Sequence, residues 1–202
     1  MSKRAAGCAR VPAELEAWTI PGATPYLHAD RSLVEKWRDR LAAVEGFKVG
    51  VAWQGNPAFY SDRFRSIALA EFAPLSRVPG VRLIRLQLKG VAEPTSAEID
   101  SVPMVSWIDA MDAQGNAFMD TAAIMASLDL VITSDTSIAH LAGALGVPVW
   151  VALSIAPDWR WLLKRDDTPW YPSMRLFRQS RLADWSDVFE RMASELAIRV
   201  AS

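Results

Sequence analysis

Short apolar runs alternating with helix-length segments constrain the fold of this chain more than any other feature of its sequence. The runs lie at residues 47–53 (FKVGVAW), 81–87, 102–108, 130–133, 149–153 and, shortest, 175–177. Between them the spacing predicts helices. Asp30 stands as an N-cap before Leu33, Trp37, Leu41 and Val44, and Gly46 stops that helix. A second helix spans 69–77, before the turn Pro79-Gly80. A third runs from an Asp120 cap to Ser127. A fourth spans 137–145, closed by Gly146 with Pro148 just beyond, and a last amphipathic helix spans 184–200. Strands that are apolar almost throughout must be covered on both faces, as in a parallel sheet between two helical layers. The expected fold is therefore α/β, a Rossmann-like, doubly wound parallel sheet of at least five strands in one domain over residues 30–202. Residues 1–29, with Pro12, Pro21 and Pro25 and no clean period, read as a lead-in. In such sheets ligands bind beyond the carboxyl ends of the strands, so the residues just after each strand are the ones to inspect.

Composition removes several function classes. The chain has 202 residues and a net charge of −1, from 22 basic and 23 acidic side chains, so a dedicated nucleic-acid binder is not expected. The one cysteine, Cys8, permits no intrachain disulfide. Lys3, Arg4 and Ala5-Ala6-Gly7-Cys8 look like a lipoprotein cleavage box, but no apolar stretch precedes them. No run approaches the ~18 apolar residues of a membrane-spanning helix. The expected location is the cytoplasm. Dinucleotide-binding, P-loop and nucleophile-elbow motifs are absent from the sequence, as is an Asp-x-Asp metal–diphosphate motif. Two distant histidines make a zinc site improbable, and no metal or other cofactor is expected.

The strongest positive signal is SDTSIAHLAGALGVP at 134–148. It ends an expected strand and opens an expected helix. The first amides of that helix, near Thr136 and Ser137, lack intrahelical partners. With the positive end of the helix dipole they suit a diphosphate. Asp135 precedes them, Thr136 and Ser137 add hydroxyls, and His140 lies one turn on, where it could donate to a phosphate or leaving group. A plain N-cap by Asp135 or Thr136 with a core histidine explains the same residues, and both readings stand. A hydrolytic triad of Ser137, His140 and Asp135 is set aside, because all three lie on one turn.

That element resembles the donor-site signature of glycosyltransferase family 9, the heptosyltransferase-like enzymes of GT-B fold. The nearer resemblance is to the glycosyltransferase domain that follows tetratricopeptide repeats in many bacterial proteins. From about Thr19 onward further landmarks agree: VAWQGNP at 51–57, Asp62-Arg63 with Arg65-Ser66-Ile67, Asp120-Thr121-Ala122, APDWRW at 156–161 and PWYP at 169–172. Heptosyltransferase-type members often have glycine where Ser137 stands, so the donor's identity does not follow.

The resemblance implies a nucleotide-sugar donor site. Gln54, Gly55 and Asn56 would form a tight turn that admits a ligand close to the backbone. Arg63 or Arg65 would clamp a phosphate, against the alternative of a solvated basic loop. Gln87 and Lys89 would lie beside a ribose or base edge, although Lys89 suits a surface equally. Phe118 with Met119 and Asp120 would pack against a nucleobase or merely staple a helix start. Asp158 and Arg160 would hold sugar hydroxyls or phosphate, while Trp159 and Trp161 anchor their loop. It also implies that only the donor half is present, as a truncated or split enzyme, acting without metal. A complementary N-terminal domain or a tetratricopeptide-repeat region would be the partner, and the catalytic base is not assigned. The alternative is a non-catalytic nucleotide or phosphometabolite module on the same fold.

Overall fold

Asp30 starts the first helix with its carboxylate, which accepts the Leu33 amide at 3.0 Å. This helix, α1 (Arg31–Ala42), buries Trp37 and Leu41. The chain then turns at Gly46, whose φ of 97° and close approach to the Gly80 carbonyl exclude a Cβ. The computed structural model describes residues 23–89, 93–112 and 118–202. Cys8, the cleavage-box-like tetrapeptide and the expected lead-in through residue 22 lie outside these. Residues 23–29 form no helix or strand, and the amides of Tyr26 and Leu27 donate to the Ala144 carbonyl at 3.0 and 3.2 Å.

The strands are β1 (Phe47–Ala52), β2 (Val81–Arg85), β3 (Met104–Val105), β4 (Leu130–Ser134), β5 (Val149–Leu153) and β6 (Met174–Arg178). All pair in parallel, in the order β3-β2-β1-β4-β5-β6. The chain moves outward one way from β1, returns to its other side at β4, and moves outward again. That reversal creates a crevice beyond the carboxyl ends of β1 and β4. The helices between strands are α2 (Ala73–Ser76), α3 (Ser96–Ser101), α4 (Met119–Met125), α5 (Ser137–Ala144) and the closing α6 (Ser186–Ala201).

Two cores flank the sheet. On one side Trp37 and Leu41 of α1, Ala123 and Ile124 of α4, and Ile138, Ala139 and Ala142 of α5 meet Val131, Val149 and Val151. On the other, Leu75 of α2 and Val188, Phe189, Met192 and Leu196 of α6 meet Val49, Val51, Leu130 and Ile132. The alternation along β1, β4 and β5 explains their largely apolar sequences, since each face has its own helical cover.

Several sequence expectations need correction. The helix expected over 69–77 is a 3-10 turn, Leu69–Phe72, followed by the four-residue α2, because Pro74 supplies no amide at its start. The run 102–108 yields only the two-residue edge strand β3. Asp120 does not cap α4. Phe118 holds the cap position with φ 68°, and Asp120 sits in the first turn. The helix α6 begins after Trp185, two residues later than expected, with Asp184 bound to the Ser186 amide and hydroxyl. The helix α3 was not anticipated, although Thr95 and Glu98 close a reciprocal capping box at its start.

Candidate functional site

The crevice at the sheet reversal is built by three connections. After β1, the chain turns at Gln54-Gly55-Asn56. The Gln87 side-chain carbonyl holds that turn by accepting the amides of Trp53 and Gln54 at 3.1 and 2.8 Å. Ser66 Oγ accepts the Gly55 amide at 3.0 Å and donates to Asp62 Oδ2 at 2.7 Å. Asn56 Oδ1 accepts the Ala58 amide at 2.9 Å, a local Asx turn. A Cβ on Gly55 would collide with the Asp62 carboxylate and fall 2.7 Å from Arg65 Nη2. Glycine is thus required for the guanidinium to pass over the turn.

Arg65 is the hinge of the site. Its Nε donates to Asp62 Oδ1 at 3.0 Å and its Nη1 to the Asp135 carbonyl at 3.0 Å, while the guanidinium lies 4.5 Å over the Phe59 ring. The β1 connection is thereby locked to the end of β4. Arg63 stacks 4.6 Å over Phe64 and lines neither cavity at the site. Of the two arginines between which the sequence leaves the choice, the crevice uses Arg65.

Beyond β4, α5 opens without a side-chain cap. Thr136 occupies the cap position, but its hydroxyl lies 3.3 Å from Thr133 Oγ1 and 3.4 Å from the Ser134 carbonyl rather than on the helix amides. Ser137, the first helical residue, is exposed. The Ala139 amide donates to the Thr136 carbonyl at 3.1 Å, and no side chain caps the amides of Ser137 and Ile138, which line the crevice. Neither Asp135 nor Thr136 acts as the plain N-cap of the alternative reading.

The third connection follows β5. Asp158 accepts the Arg160 amide, its Nε at 2.8 Å and its Nη2 at 3.2 Å. Arg160 Nη1 lies 3.1 Å from His140 Nε2, and His140 Nδ1 lies 3.1 Å from the Tyr171 hydroxyl. The imidazole stacks on Trp161 at 5.2 Å, with 17° between the planes. Both ring nitrogens of His140 are engaged, so in this arrangement His140 offers no free N–H to a phosphate. Burial, and then the Arg160 charge, hold the imidazole below its ordinary pKa of 6.5, in the neutral form.

Two cavities share Arg65 as a wall. One, about 460 Å³, is lined by residues 54–57, 86–89 and 136–138, with Phe118. It therefore gathers Gln54, Gly55, Asn56, Arg65, Gln87, Lys89, Thr136 and Ser137. The other, about 290 Å³, is lined by Phe59, Tyr60, Phe64 and Leu182 with Ser154 and Asp158. Asp120 lies outside both. Its carboxylate accepts Trp37 Nε1 at 2.5 Å and the Asp112 amide at 2.9 Å, joining α1 to α4. Lys89 reaches the first cavity but pairs with Asp109, both side chains well exposed. Trp161 is fully buried, whereas Trp159 is 77 % exposed, so only one of the two tryptophans anchors the loop. Among the described residues no group of three potential metal-ligating side chains occurs.

Sequence reasoning assigned no role to Asp62, Ser66 or Tyr171, which carry Arg65, Gly55 and His140. All three stand inside stretches that the sequence marks, at 62–67 and 169–172. The Asp62–Arg65 pair, three residues apart, is within reach of spacing, whereas Ser66 and Gly55 lie 11 residues apart and Tyr171 and His140 lie 31 apart, too far for spacing to pair them.

Six parallel strands flanked by helices, with a crevice at the order reversal, define a Rossmann-like domain of the kind found in GT-B glycosyltransferases. Two solved structures share it. The chain superposes on E. coli ADP-heptose LPS heptosyltransferase II with a TM-score of 0.54 and 14 % identity, over 87 % of this chain and 53 % of that one. It matches the glycosyltransferase family 9 protein of Veillonella parvula DSM 2008 with a TM-score of 0.54 and 11 % identity, over 87 % and 52 %. In sequence it is 29 % identical over 189 residues to Protein FlbA of Caulobacter vibrioides, covering 92 % of this chain and 31 % of that protein. The chain thus spans about half the length of the structural relatives and under a third of the sequence relative. No family model matches the chain. Among the described residues no helix is long and apolar enough to cross a membrane.

Proposed function

We propose that this chain is the donor-binding half of a GT-B glycosyltransferase that transfers a sugar from a nucleoside diphosphate to an acceptor. The observation that carries this reading is the uncapped N-terminus of α5 at the sheet reversal, with Arg65 fixed across it by the Asp135 carbonyl. Amide donors, a helix dipole and a guanidinium together are what a diphosphate requires. The nucleoside occupies the cavity between Gln54-Gly55-Asn56 and Phe118, with Gln87 and Lys89 along its edge. The diphosphate sits on the amides near Ser137, beside Thr136, with Arg65 on one side and Arg160 on the other.

In the reaction the acceptor oxygen bonds to the anomeric carbon as the bond from that carbon to the diphosphate oxygen breaks. The leaving diphosphate gains negative charge, and the helix amides and guanidinium groups stabilise it without metal. The acceptor's proton passes to a base on a complementary domain, which also carries the acceptor groove. A further domain of that kind, or a tetratricopeptide-repeat region, is the partner this reading requires. The fold shared with about half of a heptosyltransferase chain supports that division of labour. The test is a thermal-shift panel of UDP, GDP and ADP with the purified chain. A nucleoside diphosphate at 100 times its Kd should stabilise the fold by about 2.7 kcal/mol. If none of the three raises Tm, the site does not bind nucleotide and the reading fails.

A further inference from the structure

The side chains around Arg160 form a linear hydrogen-bonded series whose polarity is set by chemistry. Arginine has only donors, so His140 Nε2, 3.1 Å from Arg160 Nη1, must accept. A neutral imidazole carries one N–H, so Nδ1 holds it and donates to the Tyr171 hydroxyl oxygen at 3.1 Å. The Tyr171 hydroxyl lies in turn 3.3 Å from that of Tyr26. Burial, then the Tyr26 hydroxyl, push the Tyr171 phenol well above its usual range, so it stays protonated. The reverse polarity fails at once: an Nε2–H would face an Arg160 N–H, and an imidazolium would face a guanidinium.

The Arg160 guanidinium is thereby held on two sides, by Asp158 at Nε and Nη2 and by His140 at Nη1. Three of its five N–H donors are engaged, leaving two on a partly exposed guanidinium that stands beside α5 and Asp158, outside the walls of both cavities. The Asp135 carboxylate is close enough to reinforce its charge.

We propose that Tyr171 is a positioning residue for Arg160, acting through a neutral, Nδ1-protonated His140 that orients the guanidinium toward an anionic ligand. This rests on the diphosphate reading of the crevice. Tyr171 suits the role because it is 8 % exposed and lines neither cavity, so it acts only through His140. Its ring is fixed where it packs against the backbone of Gly143.

Two measurements test the inference. The first needs no nucleotide. The chain has two histidines, and His28 is exposed, so a His28→Gln variant assigns the imidazole ¹⁵N spectrum. At neutral pH His140 should show a protonated Nδ1 and an unprotonated Nε2. A protonated Nε2 would overturn the proposal outright. The second is a double-mutant cycle read by ADP, GDP or UDP affinity. Tyr171→Phe keeps the packed ring, and should weaken binding roughly three- to tenfold while nucleoside affinity holds. In an Arg160→Ala background the same substitution should change affinity by less than about twofold. Equal loss in both backgrounds would mean damage to the fold rather than positioning. No loss in the native background would mean that Tyr171 does not position Arg160. If the native chain binds no nucleoside diphosphate, the diphosphate reading falls by itself. The spectrum still decides whether His140 has the polarity claimed.

Discussion

At the residue scale the crevice separates side chains that line its cavities from those that build the scaffold. Arg65 is half-buried and lines both cavities, so Arg65→Ala should weaken nucleoside-diphosphate binding by about tenfold or more, one charge-assisted bond being worth roughly 1.5–3 kcal/mol. Arg63→Ala, a change at an exposed residue stacked on Phe64, should leave titration calorimetry unchanged. Asp120→Ala gives the opposite pattern. It strands the Trp37 indole N–H between α1 and α4, costing about 1–3 kcal/mol in denaturant unfolding with nucleotide affinity intact. His140 supplies the pH dependence. Its folded pKa lies below the unfolded 6.5, so the unfolded state binds the extra proton as pH falls. Stability from this group is therefore present above pH 6.5 and declines as pH falls below it. A His140→Gln variant should lose that slope in unfolding titrations between about pH 6.5 and 5, above the usual carboxylate range. An unchanged slope would show that His140 is not held neutral.

At the element scale, α5 connects the crevice to the rest of the domain. Its N-terminus faces the crevice, and its last residue, Ala144, accepts amides from Tyr26 and Leu27. Between these, Gly143 packs directly on Tyr171. A Cβ there would lie 2.6 Å from the ring carbon Cδ1, so the ring must move or the helix must lift. Gly143→Ala should destabilise the domain by about 1–3 kcal/mol despite the better helix propensity of alanine. A thermal melt showing a rise in Tm would disprove the overpacking. The elements that sequence spacing placed well are those whose own residues close them: Asp30 caps α1, and Gly46 and Gly146 adopt positive φ after α1 and α5. The elements it misplaced depend on neighbours. Only Met104 and Val105 of the run 102–108 pair with β2, because β3 is an edge strand with one partner.

At the scale of the whole molecule, the proposed function makes the chain one wall of a two-sided active site. Closure of two domains excludes water and orients the acceptor. The isolated chain should therefore bind a nucleotide-sugar weakly, at a Kd in the high-micromolar range or poorer, which corresponds to only about −5 kcal/mol. Transfer should await a complementary half. A panel of UDP-, GDP- and ADP-sugars, followed by diphosphate release, checks this. Release at ~1 s⁻¹ or faster would show that this half is self-sufficient. The exposed rings of Phe59, Tyr60 and Phe64 stand on this same edge.

What the sequence determined by itself was the layered parallel fold and the edge at which to look. Both follow from local periodicity and from the SDTSIAHLAGALGVP turn, where strand, helix start and helix end are written within fifteen contiguous residues. It also brought Thr136 into consideration, because it follows a strand and opens a helix, while Gln54, Gly55, Arg65 and Asp158 came from the family resemblance. That Arg65 rather than Arg63 lines the crevice is visible in the tertiary structure alone. That choice rests on the Asp135 carbonyl, 70 residues away. The same holds for Asp120, an expected cap and ligand neighbour that became the acceptor of Trp37 across 83 residues. It holds for His140, whose two nitrogens are claimed by Arg160 and Tyr171 from two points of the β5–β6 connection. Helix and strand formation depend on neighbours within a few residues and leave a periodic trace. The partner of a buried polar side chain is set by the packing of distant segments, which leaves none.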